Sequence, residues 1–148
     1  MIKNVKIEGM DLLPLVIRMG LAIVFIHHGY GKLFQGGHSH IAELMAAQGA
    51  PGPEVLGWLA GITEFFGGSM LLIGFLSRLW ALGLMILMVV AIATVHAPNG
   101  FDIRNSGYEY CLTLLLGAMG LFLSGAGKVS LDYLIFPRRR LKSAVTPG

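Results

Sequence analysis

Ionisable side chains interrupt four apolar stretches of this 148-residue chain, and they gather toward one end of those stretches. A charge in hydrocarbon costs about 2.5–3.5 kcal/mol on insertion scales, so such residues usually face one another or a polar cavity. They are therefore the first candidates for a functional site, the alternative being that Arg18 and Glu64 simply pair two helices. In chain order the residues are Arg18, His27, His28, Glu64, His96 and Glu109.

The composition is that of a membrane protein. The chain is 55% hydrophobic and only 13% charged, whereas a soluble domain carries about 25% charged residues. A spanning helix needs about 20 mostly apolar residues. We therefore predict an all-α, polytopic membrane protein, a bundle of four transmembrane helices forming a single domain over residues 1–148. The predicted helices are residues 12–30, 55–73, 78–96 and 107–124, the last requiring that neighbouring helices shelter Glu109.

The distribution of Lys and Arg predicts the orientation. One side of the predicted bundle carries Lys3, Lys6, Arg78, Lys128, Arg138, Arg139, Arg140 and Lys142, and the other carries only Lys32 and Arg104. By the positive-inside rule both termini are cytoplasmic, with a basic tail over residues 128–148. We expect this tail to bind anionic membrane lipids and not nucleic acid. On the opposite side, residues 41–48 are expected to form a short amphipathic helix on the membrane surface.

Glycines mark one face of the second predicted helix. Gly57, Gly61, Glu64 and Gly68 follow one another at intervals of three or four residues, which places them on the same side of a helix. Small residues at this spacing let helices approach closely in lipid. Glu64 is therefore predicted to lie on a packing face.

On the first helix, Arg18, Phe25, Gly29 and Lys32 also share a face. At about 1.5 Å per residue, Arg18 lies about 9 Å from the cytoplasmic end of the first predicted helix. Glu64 lies about 13 Å from the outer end of the second predicted helix. In a core about 30 Å thick a long Arg side chain could span the difference. We therefore predict an ion pair between Arg18 and Glu64, with Lys32 above it.

The chain resembles DoxX-type membrane proteins. The residues that carry the resemblance are Arg18 with Phe25, Gly29 and Lys32–Leu33–Phe34, then Gly49–Ala50–Pro51, Glu64 amid glycines, Ile73–Gly74–Phe75 before Arg78, and a Gly-x-Gly-x-x-Ser-Leu-Asp ending from Gly125 to Asp132. The resemblance implies a four-helix, multi-pass protein of the bacterial inner (plasma) membrane. Related members are subunits of a thiosulfate:quinone oxidoreductase or associate with oxidative-stress enzymes.

A quinone-binding site would explain why ionisable residues occur inside the apolar stretches. Arg18 or Lys32 could polarise a quinone carbonyl, while Glu64 and His28 could relay protons. The candidate polar pocket is Arg18, His28, Lys32, Glu64, His96 and Glu109, to which Tyr108 and Tyr110 could add contacts. The chain has no flavin, nicotinamide or iron–sulfur motif, so a partner subunit must hold most of the redox machinery. We therefore expect a membrane subunit of a quinone-linked oxidoreductase or redox-stress system.

Other interpretations remain open. His27, His28 and His96 could ligate a metal or a b-type haem, but histidines at a membrane interface commonly bind water or headgroups, and the resemblance does not include them. We therefore expect no metal site and disfavour haem. The single cysteine, Cys111, is expected to pack as a small apolar residue. Glycine faces and a basic tail also fit a non-enzymatic scaffold or a small-solute-handling protein. The partner we expect is a redox subunit or a second copy of the chain.

Overall fold

The computed structural model describes residues 9–136, and every regular element in that range is helical. The helices are α1 (Gly9–Phe34), α2 (Gly37–Ala47), α3 (Pro53–Ile73), α4 (Ser77–Ala91), α5 (Glu109–Ser124) and α6 (Leu131–Ile135). A π-helical turn (Ile92–His96) and a 3₁₀ turn (Ala97–Asn99) extend α4, and a second 3₁₀ turn (Ile103–Asn105) precedes α5. The all-α prediction is confirmed for this part of the chain, and α2 overlaps the short helix predicted at residues 41–48 but begins four residues earlier.

Three of the described segments are long and apolar enough to cross a membrane: Leu12–Phe34, Pro53–Ile73 and Ser77–Asn99. α5 is apolar but has only 16 residues, a length of about 24 Å. The basic residues of the two ends, Lys3 and Lys6 and the run from 138 to 142, lie outside the described residues, as does most of the predicted basic tail.

Glycines bring α3 into close contact with α1 and α2. A Cβ added to Gly29 would lie 2.3 Å from the backbone nitrogen of Phe65. A Cβ on Gly57 would lie 2.3 Å from the carbonyl oxygen of His38, and one on Gly68 would also meet the α1 backbone. The glycine face predicted for α3 is therefore confirmed, because a larger side chain at these positions would hold the helices apart.

The antiparallel register of α1 and α3 separates Arg18 from Glu64. The glycine contacts place Leu33 against Gly61 and Ile26 against Gly68. This register places Glu64 near the end of α1, about 18 Å along the helix from Arg18. The predicted Arg18–Glu64 ion pair is wrong.

Arg18 instead binds backbone carbonyls at the opposite end of the bundle. Arg18 is only 1% exposed, and its guanidinium donates to the carbonyl of Leu71 at 3.2 Å and to the carbonyl of Val129. The last carbonyls of a helix have no partner within the helix and carry its partial negative charge. Arg18 therefore satisfies the end of α3 and ties the C-terminal segment to it.

Asp132 holds the same segment against the α3–α4 connection. Its carboxylate accepts hydrogen bonds from the backbone N–H groups of Leu76 at 2.7 Å and Ser77 at 2.9 Å. Its own N–H donates to the carbonyl of Gly74 at 2.8 Å. Asp132 thus caps the start of α4 from a distant part of the chain, which gives the Ser-Leu-Asp ending a structural role.

We expect Asp132→Ala to lower the free energy of unfolding by about 0.5–2 kcal/mol, the usual cost of losing a helix cap. Asp132→Asn should cost less, because an amide oxygen can still accept one of the two hydrogen bonds. Denaturation in mixed micelles measures both variants. Equal stability of Asp132→Ala and the wild-type protein would contradict the capping role.

Candidate functional site

A cavity of about 500 Å³ lies where α1 and α4 end and where α3 and α5 begin. α2 and the α4–α5 connection contribute Ile41, Met45, Ile103 and Ser106 to its lining. Most of the lining residues are apolar, with a few polar side chains among them. Its size and composition are those of sites for small amphipathic molecules, which commonly occupy 300–1,000 Å³.

The Lys32–Glu64 ion pair forms the charged wall of this cavity. Lys32 Nζ donates to Glu64 Oε2 at 2.5 Å, with the side chains 16% and 6% exposed. The pair forms because Gly61 lets the last turn of α1 approach α3, a Cβ on Gly61 being only 3.1 Å from Lys32 Cβ. Lys32, and not Arg18, is thus the partner of Glu64.

Four of the six predicted pocket residues line this cavity, and two do not. The four are His28, Lys32, Glu64 and His96. Arg18 is excluded because the α1–α3 register places it at the other end of the bundle. Glu109 lines a separate depression on the side of α5, and its carboxylate accepts from the N–H of Ile103 at 2.9 Å.

The two cavity histidines lie at its edges. His28 and Tyr110 face each other across α1 and α5 with ring centroids 6.2 Å apart. His96 bonds through Nδ1 to the carbonyl of Ser106 at 2.7 Å, which ties the end of the α4 turn to the loop before α5. Both imidazoles are therefore placed by contacts at the rim, while Lys32 and Glu64 provide the charge inside.

Sequence reasoning missed the part played by His38. His38 lies on α2, where its Nδ1 bonds the carbonyl of Lys32 at 2.9 Å. Its ring stacks on Trp58 with centroids 4.0 Å apart. No local pattern signals this, because His38 and Trp58 meet only through the packing of α2 on α3. Thr63 was also missed, although it directly precedes Glu64 and lines the same cavity.

Cys111 is buried and lines the cavity beside Tyr110. Among residues 9–136, no group of three or more His, Cys, Asp or Glu side chains is arranged to hold a metal ion. The polar groups that line the cavity include the ammonium of Lys32, the carboxyl of Glu64 and the imidazoles and hydroxyls at its rim.

A second charged contact lies in the loop before α5, away from the cavity. Arg104 Nη2 donates to Asp102 Oδ2 at 2.6 Å, and the Arg104 side chain is 86% exposed. Hydrogen bonds from Arg104 hold the pKa of the Asp102 carboxyl below its usual value. Because both groups face solvent, this pair orders the loop and adds little stability.

The sequence is similar to known membrane proteins over most of its length. The sequence model of the DoxX family matches residues 13–97. A Haemophilus influenzae protein described only as uncharacterized is 32% identical over 90% of this chain and 91% of its own length. The Inner membrane protein YqjF of Escherichia coli is 30% identical over 84% of this chain and 93% of that protein.

A further relative, the Putative oxidoreductase CatD of Bacillus subtilis, is 27% identical over 90% of this chain and 94% of that protein. No solved structure matches this chain at a significant level. These similarities span both α1 and α3, so they include the two helices that supply the Lys32–Glu64 pair.

Proposed function

Because the chain belongs to the DoxX family of membrane proteins, as its motifs predicted, we propose that it is the membrane subunit of a quinone-linked oxidoreductase or redox-stress system. The proposal rests on one observation, the Lys32–Glu64 ion pair. Its two oppositely charged side chains are buried in the wall of a largely apolar cavity that is large enough to hold a small-molecule ligand. Intramembrane ionisable residues that face a cavity commonly mark a substrate or proton pathway. The name of the Bacillus subtilis relative, a putative oxidoreductase, points to the same chemistry.

We also propose the membrane arrangement that this function needs. The whole chain, residues 1–148, would form one multi-pass domain of the bacterial inner membrane, with α5 as the fourth span and both termini in the cytoplasm. The name of the Escherichia coli relative supports the inner membrane. The sequence supports the orientation, because eight of the Lys and Arg residues fall in segments on the same side of the predicted spans.

Each cavity residue would have a defined task. Lys32 Nζ already points at an oxygen, Glu64 Oε2, and can donate another of its three hydrogens to a quinone carbonyl. Reduction of a quinone requires both electrons and protons. The Glu64 carboxyl can hold a proton beside that carbonyl, and the His28 imidazole, at the rim, can exchange protons with the interface. Electrons would come from a redox partner subunit, whose cofactor would supply the electron transfer.

We expect the purified protein in lipid nanodiscs to bind a short-chain quinone, and Lys32→Met to weaken this binding by about 10- to 150-fold. A hydrogen bond to a charged group contributes about 1.5–3 kcal/mol, which corresponds to that factor. Quenching of the Trp58 and Trp80 fluorescence by the quinone gives the dissociation constant.

Glu109→Gln is the matched control, since Glu109 lies outside the cavity and a Gln oxygen can still accept from the Ile103 N–H. The double variant Lys32→Met/Glu64→Leu leaves no unpaired charge, and it should fold and fail to bind. Absence of quinone binding by the wild-type protein would refute the proposal. Flux of a small solute in proteoliposomes, without quinone binding, would instead support the solute-handling alternative.

A further inference from the structure

We infer that the ligand of this cavity enters from the bilayer between α3 and α4, so that the site selects a quinone with a long apolar tail. This inference rests on the proposed quinone site. It adds the route by which the ligand enters and the position of the apolar tail, which lies away from the charged wall. It depends on a different set of residues from the Lys32–Glu64 pair.

An apolar window connects the cavity to the outer surface of the bundle. We define the α3–α4 window as Leu59 on α3 with Ile86 and Val90 on α4. All three line the cavity, yet they are 51%, 59% and 43% exposed. They belong to two segments long and apolar enough to cross a membrane, so their exposed surface faces lipid. The cavity is therefore laterally accessible from the hydrocarbon core of the bilayer.

The cavity extends further along α4 than a quinone ring requires. Its lining on α4 runs from Gly83 to Ala91, a length of about 12 Å along the helix axis, and continues onto the π-helical turn at Thr94. At the Gly83 end α3 and α4 are close, since a Cβ on Gly83 would lie 3.6 Å from Thr63 Cγ2. Beyond Gly83 the α4 lining is apolar, which suits a hydrocarbon chain: Ile86, Leu87, Met88, Val90 and Ala91.

α2 covers the end of the cavity that lies beyond the window. Met45, 6% exposed, turns from α2 into the cavity lining together with Ile41. The side-chain amide of Gln48, just after α2, donates to the carbonyl of Thr94 at 2.6 Å and ties this cover to the end of α4. A ligand arriving along the membrane normal would meet α2, whereas one arriving within the bilayer meets the window.

The polar and apolar parts of the site match the two parts of such a ligand. The charged groups are confined to one wall, where Glu64 is 4% exposed, and the window offers only aliphatic side chains. A quinone ring would lie against Lys32, and its tail would pass Val90 into the lipid. A small hydrophilic solute would make no favourable contact with the aliphatic side chains of the window.

Val90→Trp tests the inference by placing an indole in the window. We expect this variant to weaken binding of a long-chain isoprenoid quinone by about tenfold or more, because the indole would occupy the space through which the tail passes; tenfold corresponds to about 1.4 kcal/mol. Binding of a short-chain quinone should change by less than about twofold, because this ligand has no tail to lie in the window. Quinone concentrations are expressed as mole fractions in the bilayer, because a longer tail also increases partitioning.

Val89→Trp is the matched control, since Val89 is the adjacent residue of α4, is 52% exposed, and does not line the cavity. Ile86→Trp repeats the test at a second window position in case Val90→Trp folds poorly. If short- and long-chain quinones respond equally to the window variants, the tail does not pass through the window and this inference is wrong, while the quinone site stands. If the wild-type protein binds neither quinone, the proposed function itself fails.

Discussion

Replacement of Lys32 by methionine should lower the free energy of unfolding by about 3–5 kcal/mol, because it leaves the Glu64 carboxylate buried without its partner. Methionine retains most of the aliphatic length of lysine, so the loss of packing is small. Unfolding in mixed micelles can be followed by the reaction of a thiol-specific dye with Cys111, the single cysteine, which is 7% exposed in the folded protein.

The double variant Lys32→Met/Glu64→Leu distinguishes two contributions to the free energy of unfolding: the destabilisation by an unpaired buried charge, and the net stabilisation by the ion pair itself. Replacing both members of a buried ion pair with apolar residues is often neutral or stabilising. We therefore expect the double variant to recover most of the stability lost in Lys32→Met, while quinone binding is not recovered. If the single and double variants were equally unstable, the pair would contribute through its packing and not through its charge.

Gly29→Ala should separate α1 from α3. The added Cβ would lie 2.3 Å from the backbone nitrogen of Phe65, a contact that no change of side-chain rotamer relieves. Insertion of even one methyl group into a packed interface costs about 1–3 kcal/mol, and here a backbone must move. We expect destabilisation at or above the upper end of that range. Because Lys32 lies one turn further along α1, the variant should also weaken quinone binding.

Gly20→Ala on the same helix is the control. No atom outside its own helix lies within 4 Å of a Cβ at this position, and alanine is the better helix former by about 1 kcal/mol. Gly20→Ala should therefore be neutral or slightly stabilising. A large loss of stability in Gly20→Ala, equal to that in Gly29→Ala, would mean that glycine matters for reasons other than the α1–α3 contact.

The sequence determined the local features that depend on short-range patterns. Hydropathy located the long helices, and the spacing of Gly57, Gly61 and Gly68 identified the face of α3 that packs on its neighbours. The same periodicity placed Lys32 and Glu64 on interior faces. The motifs also identified the family, because order and spacing along the chain are all that such a comparison needs.

Only the tertiary structure decided which interior charges meet. Helical phase shows the direction in which a side chain points, but pairing across two helices depends on their register. α1 continues to Phe34, four residues past its predicted end, which is an error of about 6 Å along the axis. The close contact at Gly29 fixes the register of α1 against α3. In this register the extended end of α1 places Lys32 beside Glu64, and Arg18 lies at the end of α3.

The cavity likewise depends on contacts between distant parts of the chain. α2 was predicted as a helix on the membrane surface, but only its packing on Gly57 makes it a cover for the bundle. Sequence patterns thus determined which residues face inward, since this follows from the geometry of a single helix. The glycine contacts between helices decided which of those residues share a site, because they fix the distance and register at which two helices meet.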